Sequence, residues 1–165
     1  MNTSEQEMMW MKTAHDAVGL KEVVGPKHNT KIQAWLSKLG AWWNDDETPW
    51  CGTFVAHCLR EAGQPVPKHW YRALAWKDYG SNLNAKSVCE GAILVFAREG
   101  GGHVGFYVGE DRFYFHVLGG NQKNGVNIMR IAKSRCVAIR WPKGVPVIGS
   151  PIRPTVAAAI SANEA

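Results

Sequence analysis

The chain has 165 residues, 45% of them hydrophobic and 20% charged, an ordinary balance for one soluble globular domain with a buried core. A net charge of +5 suits a partner with anionic groups, yet no RRM, KH or zinc-finger pattern and no dense Lys/Arg stripe is present, so nucleic acid is not expected. No apolar run approaches the roughly 20 residues of a membrane span.

In chain order, Ser4-Glu5-Gln6-Glu7 reads as a capping box that opens a helix. Met8, Met11 and Val18 share its face, and Gly19 stops it. No basic segment followed by an apolar one stands at the start, so no signal peptide is expected and synthesis is assigned to a reducing cytoplasm. Gly25-Pro26 marks a turn. Ile32, Trp35, Leu36 and Leu39 predict a second amphipathic helix ended by Gly40. A loop of aromatics and acids, Trp42 to Glu47, leads to the central helix. There Thr48 can cap, Pro49 fits the first position, and Phe54, Val55, Cys58, Leu59 and Ala62 recur at helical spacing up to Gly63. Pro65 and Pro67 break the chain, and Trp70, Ala73, Leu74 and Lys77 predict a short helix ending at Gly80.

The pattern then changes to strands. They are predicted at 92–96, 103–108, 112–118, 127–131 and 136–141, separated by Gly/Asp/Asn/Lys turns, and the short connections imply antiparallel neighbours. Helices first and strands second predict an α+β fold, with N-terminal helices packed on one face of an antiparallel sheet of about five strands. Residues 1–145 read as a single domain. Residues 146–165, rich in Pro and Ala, read as a flexible tail. The eight tryptophans divide between two readings, packing of core and rim or aromatic platforms for an extended ligand.

Cys51 falls in the first turn of the central helix. Orphan backbone N–H groups and the helix dipole favour negative charge there, so the position suits a thiolate. A thiol with a pKa of about 8.5 must fall by about 2 units to ionise well at neutral pH, which takes about 2.7 kcal/mol. A helix N-terminus usually supplies about 0.3–1 kcal/mol, so an imidazolium partner is needed as well. The other cysteines, Cys58, Cys89 and Cys136, are expected to be small buried hydrophobes. At about 1.5 Å rise per residue, Cys51 and Cys58 lie about 10 Å apart, too far for a disulfide. No spacing suits a metal, and no metal or cofactor is expected.

Of the six histidines, His57 shares the helix of Cys51 and faces poorly, and His15, His28 and His69 have no special context. His103 opens a strand directly after Gly100-Gly101-Gly102, where small neighbours leave its ring accessible. His116, between Phe115 and Val117, reads as a packed or edge histidine. A catalytic imidazole needs a third group to fix its tautomer and ring plane. Asn121, at the end of the next strand, is the choice; its other reading is a turn asparagine after two glycines.

Three segments in this order, Asp46-Glu47-Thr48-Pro49-Trp50-Cys51, Gly102-His103-Val104-Gly105 and Leu118-Gly119-Gly120-Asn121-Gln122, resemble the papain-like NlpC and CHAP group of peptidoglycan hydrolases. Within that group they are similar to small phage and bacterial wall hydrolases. Gly25-Pro26-Lys27-His28-Asn29 and Arg140-Trp141-Pro142 also fit, so the resemblance runs from about residue 15 to Pro142. It implies a papain-like fold, Cys51 as nucleophile, His103 as base and Asn121 as the orienting group. Some relatives use a second histidine as the third member, which makes His116 the rival. Many relatives have Ser where this chain has Gly52, and some have Glu where it has Gly119. Asp46, Glu47, Trp50 and Gln122 are the candidate substrate contacts. The implied partner is bacterial peptidoglycan, cut at an amide by an endopeptidase or N-acetylmuramoyl-L-alanine amidase acting as a monomer. A phage endolysin that reaches the wall through a holin or another export route is the leading expectation. A secreted antibacterial effector, or a non-catalytic wall-binding or virion protein, is the alternative.

Overall fold

The computed structural model describes residues 3–23, 27–154, 159–162 and 164; the predicted Gly25-Pro26 turn lies outside them. Helix α1, Thr3–Asp16, buries Trp10, Met11 and Ala14, and the Trp10 indole donates to the Gly91 carbonyl at 3.1 Å. Helix α2, Thr30–Leu39, is capped by the Asn29 side chain, which accepts from the N–H groups of Lys31 and Ile32. It closes on Gly40 at φ 83°, the left-handed conformation that a helix end favours.

Helix α3, Cys51–Glu61, is the central element. Cys51, Gly52, Thr53, Phe54, Val55, Ala56, Cys58 and Leu59 are all buried. It starts later than the predicted cap: Trp50 holds the cap position, with no side-chain cap bond. Thr48 precedes Pro49, and a residue before proline is steered away from helical dihedrals. Its N–H goes instead to Asp45 Oδ1 at 2.7 Å. The short helix predicted after Trp70 is a 3-10 helix, Ala73–Asp78, tied down by the Trp76 indole on the Trp70 carbonyl at 3.0 Å.

Among the described residues the sheet has six strands, one more than predicted. β1 (Ser81–Asn82), β2 (Ile93–Arg98), β3 (Gly101–Glu110), β4 (Tyr114–Gln122), β5 (Gly125–Ala132) and β6 (Cys136–Trp141) lie in the order β1-β6-β2-β3-β4-β5, all antiparallel. The added β1 is a two-residue exposed edge. β4 runs to Gln122, so the segment Leu118–Gln122 is strand, and the tight reversal comes after it at Lys123 and Asn124, both at positive φ.

Helix α3 packs against β3 and β4, and α1 and α2 pack on α3. The approach of β4 requires glycine: a Cβ at Gly120 would lie 2.7 Å from Phe54 Cβ and from the Trp50 ring. Trp10, Trp50 and Trp76 are fully buried, so packing accounts for these rings. The described residues of the predicted flexible tail lie along the sheet. Ile152 accepts from Glu110 N and donates to the Tyr107 hydroxyl. Ala159 and Ser161 bond the backbone of Arg130, and buried Glu164 pairs with Arg135. Arg130 and Arg135 offer backbone and guanidinium groups that the Pro/Ala-rich composition does not reveal.

Candidate active site

Cys51 is the first residue of α3 and is 6% exposed. The His103 ring and the backbone N–H groups of Val104 and Gly52 are the groups that act on its sulfur. Burial alone raises its pKa. The hydrogen bond and charge of His103, joined by those two N–H groups, bring it below the ordinary thiol value. The contrast with other thiols is direct: burial pushes Cys58 far up and Cys136 up to about 11. Cys51 is thus the thiol placed to be a thiolate. All four cysteines are outside disulfides.

His103 sits near the start of β3, 1% exposed. Its Nε2 lies 2.9 Å from Gln122 Oε1. The amide orientation is determined by its surroundings: Gln122 Nε2 donates to Val117 O, Asn127 O and Asn127 Oδ1 at 3.2, 2.8 and 3.1 Å. Oε1 therefore faces the ring, Nε2 of His103 carries a proton, and Nδ1 is left for the sulfur. Burial opposes a charged ring here. The Cys51 hydrogen bond and charge, then Gln122 and the carboxylate of Glu164, outweigh it and raise the His103 pKa. Sulfur, imidazole and amide oxygen are all buried and act on one another in sequence, which suits an ion pair of thiolate and imidazolium.

The expected third member is thereby corrected. Asn121 does not hold His103; Gln122 does. The β4–β5 pairing shifts register between Gly119 and Gln122, and Asn121 sits at φ 57°. This irregularity turns the Asn121 side chain out of the alternation and brings Gln122 under the ring. The rival is corrected as well. His116 pairs with Gly109, at the other end of β4, and its Nε2 bonds Asp111 Oδ2 at 2.9 Å.

The candidate substrate contacts divide. Glu47 is exposed. Asp46 is 0% exposed and accepts from Val23 N at 2.7 Å, Asn29 N at 2.8 Å and His28 Nδ1 at 2.9 Å. It is a clasp between loops, closed to a ligand. Trp50 is 1% exposed and donates its indole N–H to Glu22 Oε2 at 3.0 Å, so it too is packing. Gln122 is committed to His103. The loop carboxylate beside the helix is Asp45, whose Oδ1 takes the N–H groups of Glu47 and Thr48.

Among the described residues, no group of three or more His, Cys, Asp or Glu side chains is placed to hold a metal ion, and no helix is long and apolar enough to cross a membrane. Sequence reasoning missed the role of Gln122. Its signal was present in the adjacent amides of Asn121-Gln122, either of which can present a carbonyl oxygen to an imidazole.

Residues 43–121 match one family model, described as CHAP domain. The matched stretch contains Cys51 and His103 and stops one residue short of Gln122. No curated protein matches the chain.

Proposed function

We propose, from the premise that this chain carries a CHAP domain of papain-like fold, that it hydrolyses an amide bond of bacterial peptidoglycan by cysteine nucleophilic catalysis, with residues 1–145 as its catalytic domain. The observation that supports the reading is the line from Cys51 through His103 to Gln122. A sulfur at a helix start, an imidazole on it and an amide oxygen behind that imidazole are the parts that acyl transfer needs.

The steps follow from the groups present. The Cys51 thiolate adds to the amide carbonyl carbon, and the oxygen gains the negative charge. Backbone N–H groups at the start of α3, that of Cys51 among them, stabilise this oxyanion. The His103 imidazolium gives its proton to the leaving nitrogen, the C–N bond breaks, and a thioester remains. Water then enters. Neutral His103 takes a proton from it as the hydroxide adds, the C–S bond breaks, and the carboxylic product leaves with thiolate and imidazolium restored. Gln122 keeps the ring in the required tautomer throughout.

The test is digestion of purified sacculi by the parent and by Cys51→Ala, with released fragments identified by mass spectrometry. The reading expects new amino termini with the parent alone, and the fragment masses separate a muramoyl-alanine amidase from a stem endopeptidase. Equal release by Cys51→Ala would overturn it.

A further inference from the structure

Beside the start of α3 lies an open cavity of about 690 Å³, lined by Trp42, Trp43, Trp70 and Tyr71, with Asp45, Thr48 and Lys68 among its polar groups. Two of its lining residues, Thr48 and Trp70, lie by the start of α3. Thr48 stands three residues before Cys51, and the Trp70 carbonyl abuts Gly52, the residue after it.

Packing accounts for three of the four rings. Trp43 stacks on Trp70 at 5.8 Å and 25°, and Tyr71 meets both edge-on. Trp42 differs. It is 92% exposed, the most exposed of the large hydrophobic residues described, and touches Trp43 by an edge at 5.5 Å. Its indole contributes little to the core while presenting a large apolar face to water at the mouth of a cavity.

The cavity's chemistry selects an occupant. A flat apolar platform beside a hydroxyl, a carboxylate and an ammonium fits a ring with a C–H face and a polar edge. One acid and one base leave little net charge, so the site lacks the cationic excess that a polyanion calls for. A purely apolar helix would desolvate Asp45 and Lys68 without pairing them. We propose that this cavity is a saccharide subsite, which seats an uncharged N-acetylhexosamine ring of a glycan strand with its C–H face on Trp42. The proposal rests on the wall-hydrolase reading and adds to it a contact with the glycan part of the polymer near the start of α3.

The test uses the full chain carrying Cys51→Ala, so that binding is read without turnover, and tri-N-acetylchitotriose as the probe. Tryptophan fluorescence and calorimetry are expected to show saturable binding. Adding Trp42→Ala is expected to weaken it about three- to tenfold, the effect of losing one aromatic face, with an unchanged melting temperature. Phe113→Ala, which removes an exposed ring between β3 and β4 that does not line the cavity, is expected to bind as the parent does. Absence of saturable chitotriose binding, or equal binding with and without Trp42, overturns the subsite even if sacculi are digested. Displacement of the Trp42 signal by free stem peptide and not by the sugar overturns it too. Saturable, Trp42-dependent binding upholds the subsite even where no amide is cut, so the two readings fail separately.

Discussion

Replacing Gln122 with Ala removes the oxygen 2.9 Å from His103 Nε2 and puts nothing in its place. The site is buried, so water does not readily substitute. A hydrogen bond to a charged group contributes about 1.5–3 kcal/mol, and about 1.4 kcal/mol corresponds to one pKa unit. The His103 imidazolium should therefore lose about 1–2 units and turnover should fall about 10- to 100-fold. The sign shows on the basic limb of the pH profile. Gln122 helps to raise the His103 pKa, so its loss moves the basic limb to lower pH. The acidic limb is ionisation of Cys51 beside a ring that is already charged, and Gln122 is not among the groups that act on the sulfur, so that limb stays in place. The profile narrows from its basic side as its maximum drops. Release of soluble fragments from dye-labelled sacculi, measured across pH, reads both changes. Asn121→Ala is the control and is expected to stay within a few-fold of the parent. Because the Gln122 amide also bonds Val117 and Asn127, melting curves accompany the kinetics, and Gln122→Glu, which keeps an acceptor oxygen, is expected to recover part of the activity. If Asn121→Ala loses activity while Gln122→Ala keeps it with an unshifted profile, the reasoning is wrong.

Two further substitutions probe the supports of the site. A Cβ at Gly52 would lie 2.3 Å from the Trp70 carbonyl oxygen, a backbone atom with little room to yield. Gly52→Ala is expected to cost about 1–3 kcal/mol and to slow Cys51 alkylation, read by melting and by mass spectrometry; Gly52→Ser should do no better. Asp46→Ala strands the N–H groups of Val23 and Asn29 and is expected to cost about 2–4 kcal/mol in denaturant titrations. The Asp46 pKa is lowered, with burial opposed by those N–H groups and His28, while the His28 pKa is raised, chiefly by its bond to Asp46. The carboxylate's contribution is present above the ordinary carboxylate range and lost as pH falls through its depressed value. That of His28 is present below its ordinary value and lost as pH rises through its raised one. The parent's stability advantage over Asp46→Ala should therefore peak at mildly acidic pH, and a flat difference would contradict the clasp.

The α+β order, the three helices and five of the six strands were legible because apolar spacing and glycine or proline breaks are local signals. Cys51 and His103 were legible for the same reason, one at a helix start and the other after a glycine run. Gln122 was not. Choosing between adjacent amides requires the parity of the strand, and one irregularity between Gly119 and Gln122 reverses which side chain faces the ring. Asp46 read as part of an exposed acidic loop because its backbone partners lie 23 and 17 residues away. Strand β1, two exposed residues, has no alternation to detect.

The central claim is that His103 ionises the sulfur of Cys51. Iodoacetamide labelling of Cys51, followed site by site with mass spectrometry from mildly acidic to alkaline pH, tests it in the parent and in His103→Ala. The account predicts labelling of the parent well below the ordinary thiol pKa of about 8.5, with Cys58 untouched, and labelling of His103→Ala only near or above it. Identical profiles for the two proteins, both with the inflection of an ordinary thiol, would contradict it.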